Sequence, residues 1–240
     1  MKSVIISADY ANDIQESSSD SSALATRGQL SPMPIGDEEM LNLFRTLQML
    51  MPQKAHWTLG IISTLPGEGV STVARGLARV VARTPGARVL ICDVAGDPSR
   101  RSRGTRQQQS STRASMGDDS GRIEFSWLPG SQIAVGALGD GAGRMNAMTA
   151  NPEAVRSMVT TVSAGFEMVI LDLPPVSESA IGPSFAKAVD GVVLVVEAER
   201  TRTHAVRATQ KTLNMYGANI LGVVLNKRRF HIPNFIYRHL

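Results

Sequence analysis

Residues 61–74 read IISTLPGEGVSTVA and have the layout of a loop that holds phosphate. An apolar run leads into a glycine-rich turn, and the turn leads into a pattern typical of a helix. Such a turn lets backbone N–H groups point at phosphate oxygens, and the helix N-terminus adds a partial positive charge. The candidate nucleotide-binding residues in this loop are Pro66, Gly67, Glu68, Gly69, Val70, Ser71 and Thr72.

One position departs from what phosphate chemistry requires. A phosphate-binding loop carries a lysine directly before its Ser or Thr, where the ammonium neutralises the β- and γ-phosphates. Here Val70 occupies that position before Ser71. The backbone amides remain, so we expect binding of ATP or ADP with Mg²⁺ to be weak or absent, and phosphoryl transfer to be inefficient. Catalysis would need Arg75, Arg100 or a partner's cation in place of the lysine.

Polar residues also follow three other apolar runs. Asp93 ends RVLICD and Asp172 ends EMVILD, and the carboxyl ends of parallel strands are where such sheets bind ligands. Each carboxylate is a candidate catalytic group and, with Ser71, a candidate Mg²⁺ ligand. Either could instead cap a turn. The last apolar run ends in Asn226 and Lys227, where the pair would contact a nucleotide base or form a simple turn.

Alternating strand and helix patterns must position these residues. Strands are predicted at 58–63, 88–93, 122–127, 131–136, 167–172, 191–197 and 219–225, and helices at 36–51, 70–84, 151–164, 178–188 and 201–215. Asp37 is a predicted N-cap, as is Asn151, which Pro152 follows. Continuous Val, Ile and Leu runs separated by helices indicate an α/β fold with a doubly wound, mostly parallel sheet.

The length of 240 residues fits one α/β domain with tails. Polar, low-complexity composition predicts a disordered tail over 1–35 and a flexible insertion at about 97–121 within a domain spanning 36–227. Residues 228–240 form a basic and apolar C-terminal tail. The single cysteine, Cys92, excludes a disulfide framework, which fits a cytoplasmic protein. No apolar run is long enough to span a membrane.

The charge excess is mild, with 25 Lys and Arg against 21 Asp and Glu. Much of it lies in two clusters, namely Arg100, Arg101, Arg103, Arg106 and Arg113, and Lys227, Arg228, Arg229 and Arg238. Such patches meet an acidic partner or a membrane surface, or are simply solvated. We expect no nucleic-acid partner. The apolar residues of 231–240 suit a short helix that docks on a partner, lies on a membrane or packs back on the sheet.

The order of these motifs resembles a known family. IISTLPGEGVST, RVLICDVAGD, FEMVILDLPPV and the stretch 188–227 are similar to the cytoplasmic ATPase domain of bacterial tyrosine kinases, which are MinD-like, deviant-Walker P-loop NTPases. The resemblance implies a P-loop fold and a membrane polysaccharide co-polymerase or export component as partner. It further implies a cytoplasmic location peripheral to the inner membrane, and a homo-oligomer as one option.

Several family positions are altered in this chain. Val70 replaces the loop lysine, and Ala95 replaces the second aspartate of the family's Asp-x-Asp strand end. Asn42, Arg45 and Gln48 stand where the family has a ring-forming Glu-x-x-Arg-x-x-Arg pattern. RRFHIPNFIYRHL, with Tyr237 as its one tyrosine, stands where the family has a tyrosine-rich tail. The sequence therefore predicts a degenerate member, a pseudokinase-like regulator of exopolysaccharide or capsule biosynthesis and export. An active ATPase or tyrosine autokinase, and a MinD-like positioning ATPase, remain the alternatives.

Overall fold

A computed structural model describes residues 5–9, 36–94, 113–118, 121–138 and 149–228. Its strands are β1 (Ile5–Asp9), β2 (Trp57–Ser63), β3 (Val89–Asp93), β4 (Arg113–Asp118), β5 (Gly121–Trp127), β6 (Ile133–Leu138), β7 (Met168–Asp172), β8 (Gly191–Glu197) and β9 (Ile220–Arg228). Its helices are α1 (Asp37–Leu50), α2 (Val70–Val81), α3 (Pro152–Ser163), α4 (Ile181–Ala186) and α5 (Thr203–Tyr216).

The described strands form one sheet in the order β1-β9-β8-β2-β7-β3-β6-β5-β4. Neighbouring strands from β1 to β6 are parallel, and β5 and β4 extend this sheet as an antiparallel hairpin. Helical crossovers join most of the parallel strands, because a parallel neighbour can be reached only by returning to the starting edge. The predicted α/β class with a mostly parallel, doubly wound sheet is confirmed.

Each face of the sheet has its own apolar core. In β8, Val192, Leu194 and Val196 belong to one core and Val193 and Val195 to the other, because side chains alternate along a strand. Helices α1 and α2 cover the second face. Helices α3, α4 and α5 cover the first. Strands buried on both faces explain the uninterrupted Val, Ile and Leu runs of the sequence.

The two predicted helix caps have different outcomes. Asn151 caps α3 as predicted, since its side-chain oxygen accepts hydrogen bonds from the backbone N–H groups of Glu153 and Ala154. The prediction of Asp37 as N-cap is wrong, because Gly36 is the N-cap and Asp37 is the first helical residue. The carboxylate of Asp37 instead pairs with Arg83, which follows α2.

Two strands lie where the sequence predicted irregular chain. Ile5–Asp9 forms β1, which pairs with β9 in the register Ile5–Val223, so residues 5–9 correct the prediction of a tail over 1–35. Arg113–Asp118 forms β4, which pairs with β5 and corrects the end of the predicted insertion. Strand β1 is stabilised by backbone pairing with a strand more than 200 residues away, and β4 by pairing with the strand that follows it, neither of which composition reveals. Residues 10–35, 95–112 and 229–240 lie outside the described residues.

None of the helices in the described ranges is long and apolar enough to cross a bilayer.

Candidate nucleotide site

The glycine loop lies at the carboxyl edge of the sheet, between β2 and α2. Strand β2 is flanked by β7 and β8, so the loop is near the middle of the parallel strands. Gly67 and Gly69 adopt φ values of 80° and 101°, in the left-handed region that side chains other than glycine rarely occupy. Helix α2 begins at Val70, directly after the second of these glycines. The sequence thus has glycine at both left-handed positions of the turn.

The loop presents unpaired backbone N–H groups at the start of α2. Thr72 and Val73 donate to the carbonyl of Gly69, both at 3.0 Å, which closes the first helical turn. The N–H groups of residues 67–71 donate to no residue in the part of the chain that the structure describes. Thr64 Oγ1, at the base of the loop, is buried and likewise unpartnered among the described residues. Free donors around a helix N-terminus form a cradle that suits phosphate oxygens.

Glu68 holds the loop in this shape. Its side chain is fully buried, and its carboxylate accepts hydrogen bonds from the Leu65 N–H at 2.7 Å, the Glu197 N–H at 3.1 Å and the Thr201 hydroxyl. These bonds join the loop to the turn between β8 and α5, which is residues 198–202. The sequence groups Glu68 with the nucleotide-binding residues of the loop, and this remains a prediction. Its carboxylate, however, is turned into the protein.

Asn226 braces the loop from the end of β9. Its side-chain Nδ2 donates to the Glu68 carbonyl at 2.8 Å, and its Oδ1 accepts from the Lys227 N–H at 2.9 Å. A Cβ atom on Gly69 would lie 2.0 Å from Asn226 Nδ2, so only glycine allows this approach. The Asn226 side chain is buried and both ends of its amide are used, so contact with a base remains a prediction.

Two cations lie beside the loop: Lys227, which the sequence paired with Asn226 as a possible base contact, and Arg200, which the sequence did not indicate. Lys227 Nζ donates to the Gly67 carbonyl at 2.7 Å and lies 3.1 Å from Glu197 Oε2. Arg200 Nη1 is 2.8 Å from the same Glu197 oxygen and 3.8 Å from the position of a Cβ on Gly67. The Asn226-Lys227 pair at a strand end was the available signal for Lys227. Nothing in the local sequence indicated Arg200.

Arg200 and Lys227 change the pKa of the Glu197 carboxyl, which lies between them. Partial burial of Glu197 acts to raise its pKa, but hydrogen bonds from Arg200 and Lys227 and the charges of both outweigh burial and lower the pKa. A carboxyl whose pKa is lower in the folded state stabilises the fold above its unfolded pKa. That contribution is lost as the pH falls through the lowered pKa. The Glu197 contacts therefore support the loop at neutral pH.

The Val70 side chain packs against the apolar core and supplies no charge to the loop. Val70 is the first residue of α2, is partly buried, and packs against the apolar core beneath α1 and α2. An isopropyl group in this place offers no hydrogen bond and no charge to a phosphate. Valine in place of lysine at position 70 therefore removes a charge from the loop. The glycines, the helix start and the bracing contacts of the loop are all in place.

The two predicted acidic residues lie next to each other at the edge of the sheet. Asp93 of β3 and Asp172 of β7 are register partners, and both are partly buried. Ser71 is in the first turn of α2. Within the described ranges no group of three or more His, Cys, Asp and Glu side chains could hold a metal ion. Mg²⁺ commonly takes one or two carboxylates together with substrate phosphates, so these oxygen donors suit a Mg²⁺–nucleotide.

The comparison with known sequences identifies an exopolysaccharide transport protein and a tyrosine kinase as relatives. The chain is 26% identical over 189 residues to the succinoglycan biosynthesis transport protein ExoP of Rhizobium meliloti, covering 75% of the chain and 23% of ExoP. It is 26% identical over 196 residues to the tyrosine-protein kinase CpsD of Streptococcus agalactiae, covering 79% of the chain and 83% of CpsD. No protein-family model matches the sequence. The chain is thus similar in sequence to a bacterial tyrosine kinase and to an exopolysaccharide transport protein.

Solved structures agree with this homology at the level of the fold. The kinase domain of Escherichia coli tyrosine kinase ETK superposes with a TM-score of 0.62 at 17% identity, covering 82% of the chain and 77% of that domain. The ATP complex of a Cyanothece McdA variant superposes with a TM-score of 0.53 at 20% identity, covering 72% of the chain and 70% of McdA. The P-loop, MinD-like fold predicted from the sequence is confirmed.

Proposed function

We propose that the chain is a pseudokinase-like regulatory partner in bacterial exopolysaccharide or capsule biosynthesis and export. The observation that carries this proposal is a phosphate loop with its backbone shape in place, in which Val70 replaces the lysine. The loop retains its glycines, its free amides and its bracing by Glu68 and Asn226. Homology to ExoP and to bacterial tyrosine kinases supports the biological setting. The partner would be a membrane polysaccharide co-polymerase or export component, with the chain peripheral to the inner membrane.

Nucleotide binding in this proposal is a regulatory or residual property. The amides of residues 67–71 would hold the phosphates of ATP or ADP, and Ser71, Asp93 and Asp172 would hold Mg²⁺. A lysine contributes roughly 1.5–3 kcal/mol through a charge-assisted contact in binding, and charged groups contribute several kcal/mol more to the transferring phosphoryl group. Without that charge the loop retains part of the binding energy and loses most of the rate.

An active kinase or ATPase is the second candidate, because cations do lie beside the loop. The Arg200 guanidinium is near Gly67, and about half of its side chain is exposed, so it is able to move toward a bound phosphate. Charge from an arginine supplied outside the loop is a known route to phosphoryl-transfer catalysis. In this reading Arg200→Ala abolishes turnover, whereas in the pseudokinase reading there is no turnover to abolish.

We expect the purified protein to hydrolyse ATP with Mg²⁺ at the background rate. The reason is the missing lysine charge at Val70, compounded by Ala95 at the second acidic position. Phosphate release would be measured for the natural chain, for Asp172→Ala and for Arg200→Ala. A robust rate that Asp172→Ala abolishes would overturn the pseudokinase proposal, and additional loss in Arg200→Ala would favour the active-enzyme alternative.

The C-terminal tail is expected to recruit the protein to the membrane machinery. Deleting residues 231–240 removes the apolar and basic segment HIPNFIYRHL, so the fold should remain intact while recruitment is lost. Thermal melting and membrane fractionation of the truncated protein test both halves of this prediction. A much lower melting temperature would mean that the tail belongs to the core. Unchanged fractionation with membranes would mean that recruitment lies elsewhere.

A further inference from the structure

The charge of this chain is divided unevenly along its length. Residues 200–240 contain eight of the 25 Lys and Arg residues and no Asp or Glu. The preceding 199 residues therefore hold 17 basic residues against all 21 acidic ones, so they are net negative although the whole chain is net positive. A segment with one sign of charge, in a chain otherwise of the opposite sign, is an electrostatic footprint for a partner.

Part of this charge forms a row on the exposed side of α5. His204, Arg207, Lys211 and Met215 follow the i, i+3, i+7, i+11 spacing of one helix face, and we call them the α5 stripe. All four are exposed, and 78% of the Met215 surface is in contact with solvent. Thr209 and Leu213, on the opposite side of the helix, are buried against the sheet. Packing of α5 thus fixes the direction in which the stripe points.

The positive charges of the stripe are not neutralised by neighbours. Helix α5 has no acidic residue, and neither Arg207 nor Lys211 has an ion-pair partner in the described part of the chain. Helix α1 differs, because its first turn carries Asp37, Glu38 and Glu39 and its basic residue Arg45 comes later. Unpaired exposed cations keep their full attraction for an external anion.

We propose that the α5 stripe binds an anionic lipid surface. Arg207 and Lys211 lie one turn apart on an exposed helix face that ends in Met215, and a face that combines cations with an exposed apolar side chain suits an anionic bilayer surface. Met215 and the partly exposed Tyr216 follow the cations at the helix end, where an apolar and an aromatic side chain suit the headgroup region of a bilayer. The inference deepens the proposed function and rests on its membrane location: it assigns lipid contact to the folded domain, whereas residues 231–240 are proposed to dock on the export machinery. Lipid contact by the stripe requires neither nucleotide nor a polysaccharide partner.

The experiment is vesicle co-sedimentation of the full chain. The vesicles are phosphatidylcholine alone, and phosphatidylcholine with about 30% phosphatidylglycerol, on which each Lys or Arg near the surface contributes about a fivefold gain in binding. The full chain should bind only the anionic vesicles, and high salt should release it. Arg207→Glu with Lys211→Glu should weaken this binding by at least about 20-fold, because two attractions become repulsions.

A matched control tests whether vesicle binding depends on where the positive charges lie or only on the net charge of the chain. Arg45→Glu with Arg75→Glu changes the net charge equally, on exposed positions of α1 and α2 on the opposite face of the sheet. This control should bind anionic vesicles within about threefold of the natural chain, and thermal melting should show that both double variants are folded. Equal weakening by the two double variants would overturn the stripe. The absence of binding to anionic vesicles would also overturn it. If the chain binds polyglutamate but not vesicles, the stripe recognises an acidic protein segment instead of lipid.

Discussion

Replacing Glu68 by alanine is expected to lower the free energy of unfolding by about 3–5 kcal/mol, a large share of the stability of a domain of this size. The change leaves the partly buried Leu65 and Glu197 N–H groups and the partly buried Thr201 hydroxyl without their acceptor. Each unsatisfied buried donor costs about 1–3 kcal/mol, and the loss of side-chain packing adds to this. Urea unfolding followed by circular dichroism measures the effect.

Two further variants show whether hydrogen bonding is the cause. Glu68→Gln keeps the shape and one acceptor oxygen but turns an NH₂ group toward donors, so it should lose about half as much stability as alanine. Glu178→Ala removes an exposed carboxylate and should change stability by less than about 0.5 kcal/mol. If Glu68→Ala unfolds at the same urea concentration as Glu178→Ala, the carboxylate does not hold the loop.

Restoring the lysine in Val70→Lys is expected to tighten ATP binding by about 10- to 150-fold, which corresponds to one charge-assisted contact of roughly 1.5–3 kcal/mol. The gain requires a loop that already has its phosphate-binding shape, and the left-handed glycines, the free amides and the bracing by Asn226 supply that shape. The lysine stem can cover the apolar surface that Val70 now covers. Titration calorimetry with ATP and Mg²⁺ measures the change.

The matched control for this gain is Val70→Met, which has a long flexible side chain and no charge. It should bind ATP no more tightly than the natural protein does. An equal gain with methionine would mean that size, not charge, limits binding. Unchanged affinity in Val70→Lys would mean that the loop cannot receive phosphate, and the proposal of residual nucleotide binding would then fail.

The two variants address different parts of the site, so their outcomes separate two explanations. A destabilising Glu68→Ala together with a tighter Val70→Lys would describe a sound loop that lacks one charge. A destabilising Glu68→Ala with no gain in Val70→Lys would describe a loop kept for its structural contacts alone. In that second case the protein would act only as a binding partner, and its regulation would not involve nucleotide.

The sequence by itself determined the class of fold and the position of the loop, because both follow from short-range patterns. Uninterrupted Val, Ile and Leu runs mark strands buried on both faces, and a helix must separate parallel strands, so the order of elements implied the sheet. Asn151 before Pro152 predicted the start of α3, since capping involves residues two and three positions apart. Gly67 and Gly69 indicated the turn because their left-handed backbone suits glycine.

Only the tertiary structure decided what holds the loop and what extends the sheet. Glu68 bonds to Glu197, and Asn226 and Lys227 reach back to the loop, over chain separations of 129 to 160 residues. Ile5–Asp9 likewise forms strand β1 because it pairs with the edge of β9. Such contacts form only when packing brings distant segments together, and their residues carry no local pattern. The sequence alone therefore did not distinguish Glu68 from the other loop residues, because its hydrogen bonds to Glu197 and Thr201 depend on the tertiary structure.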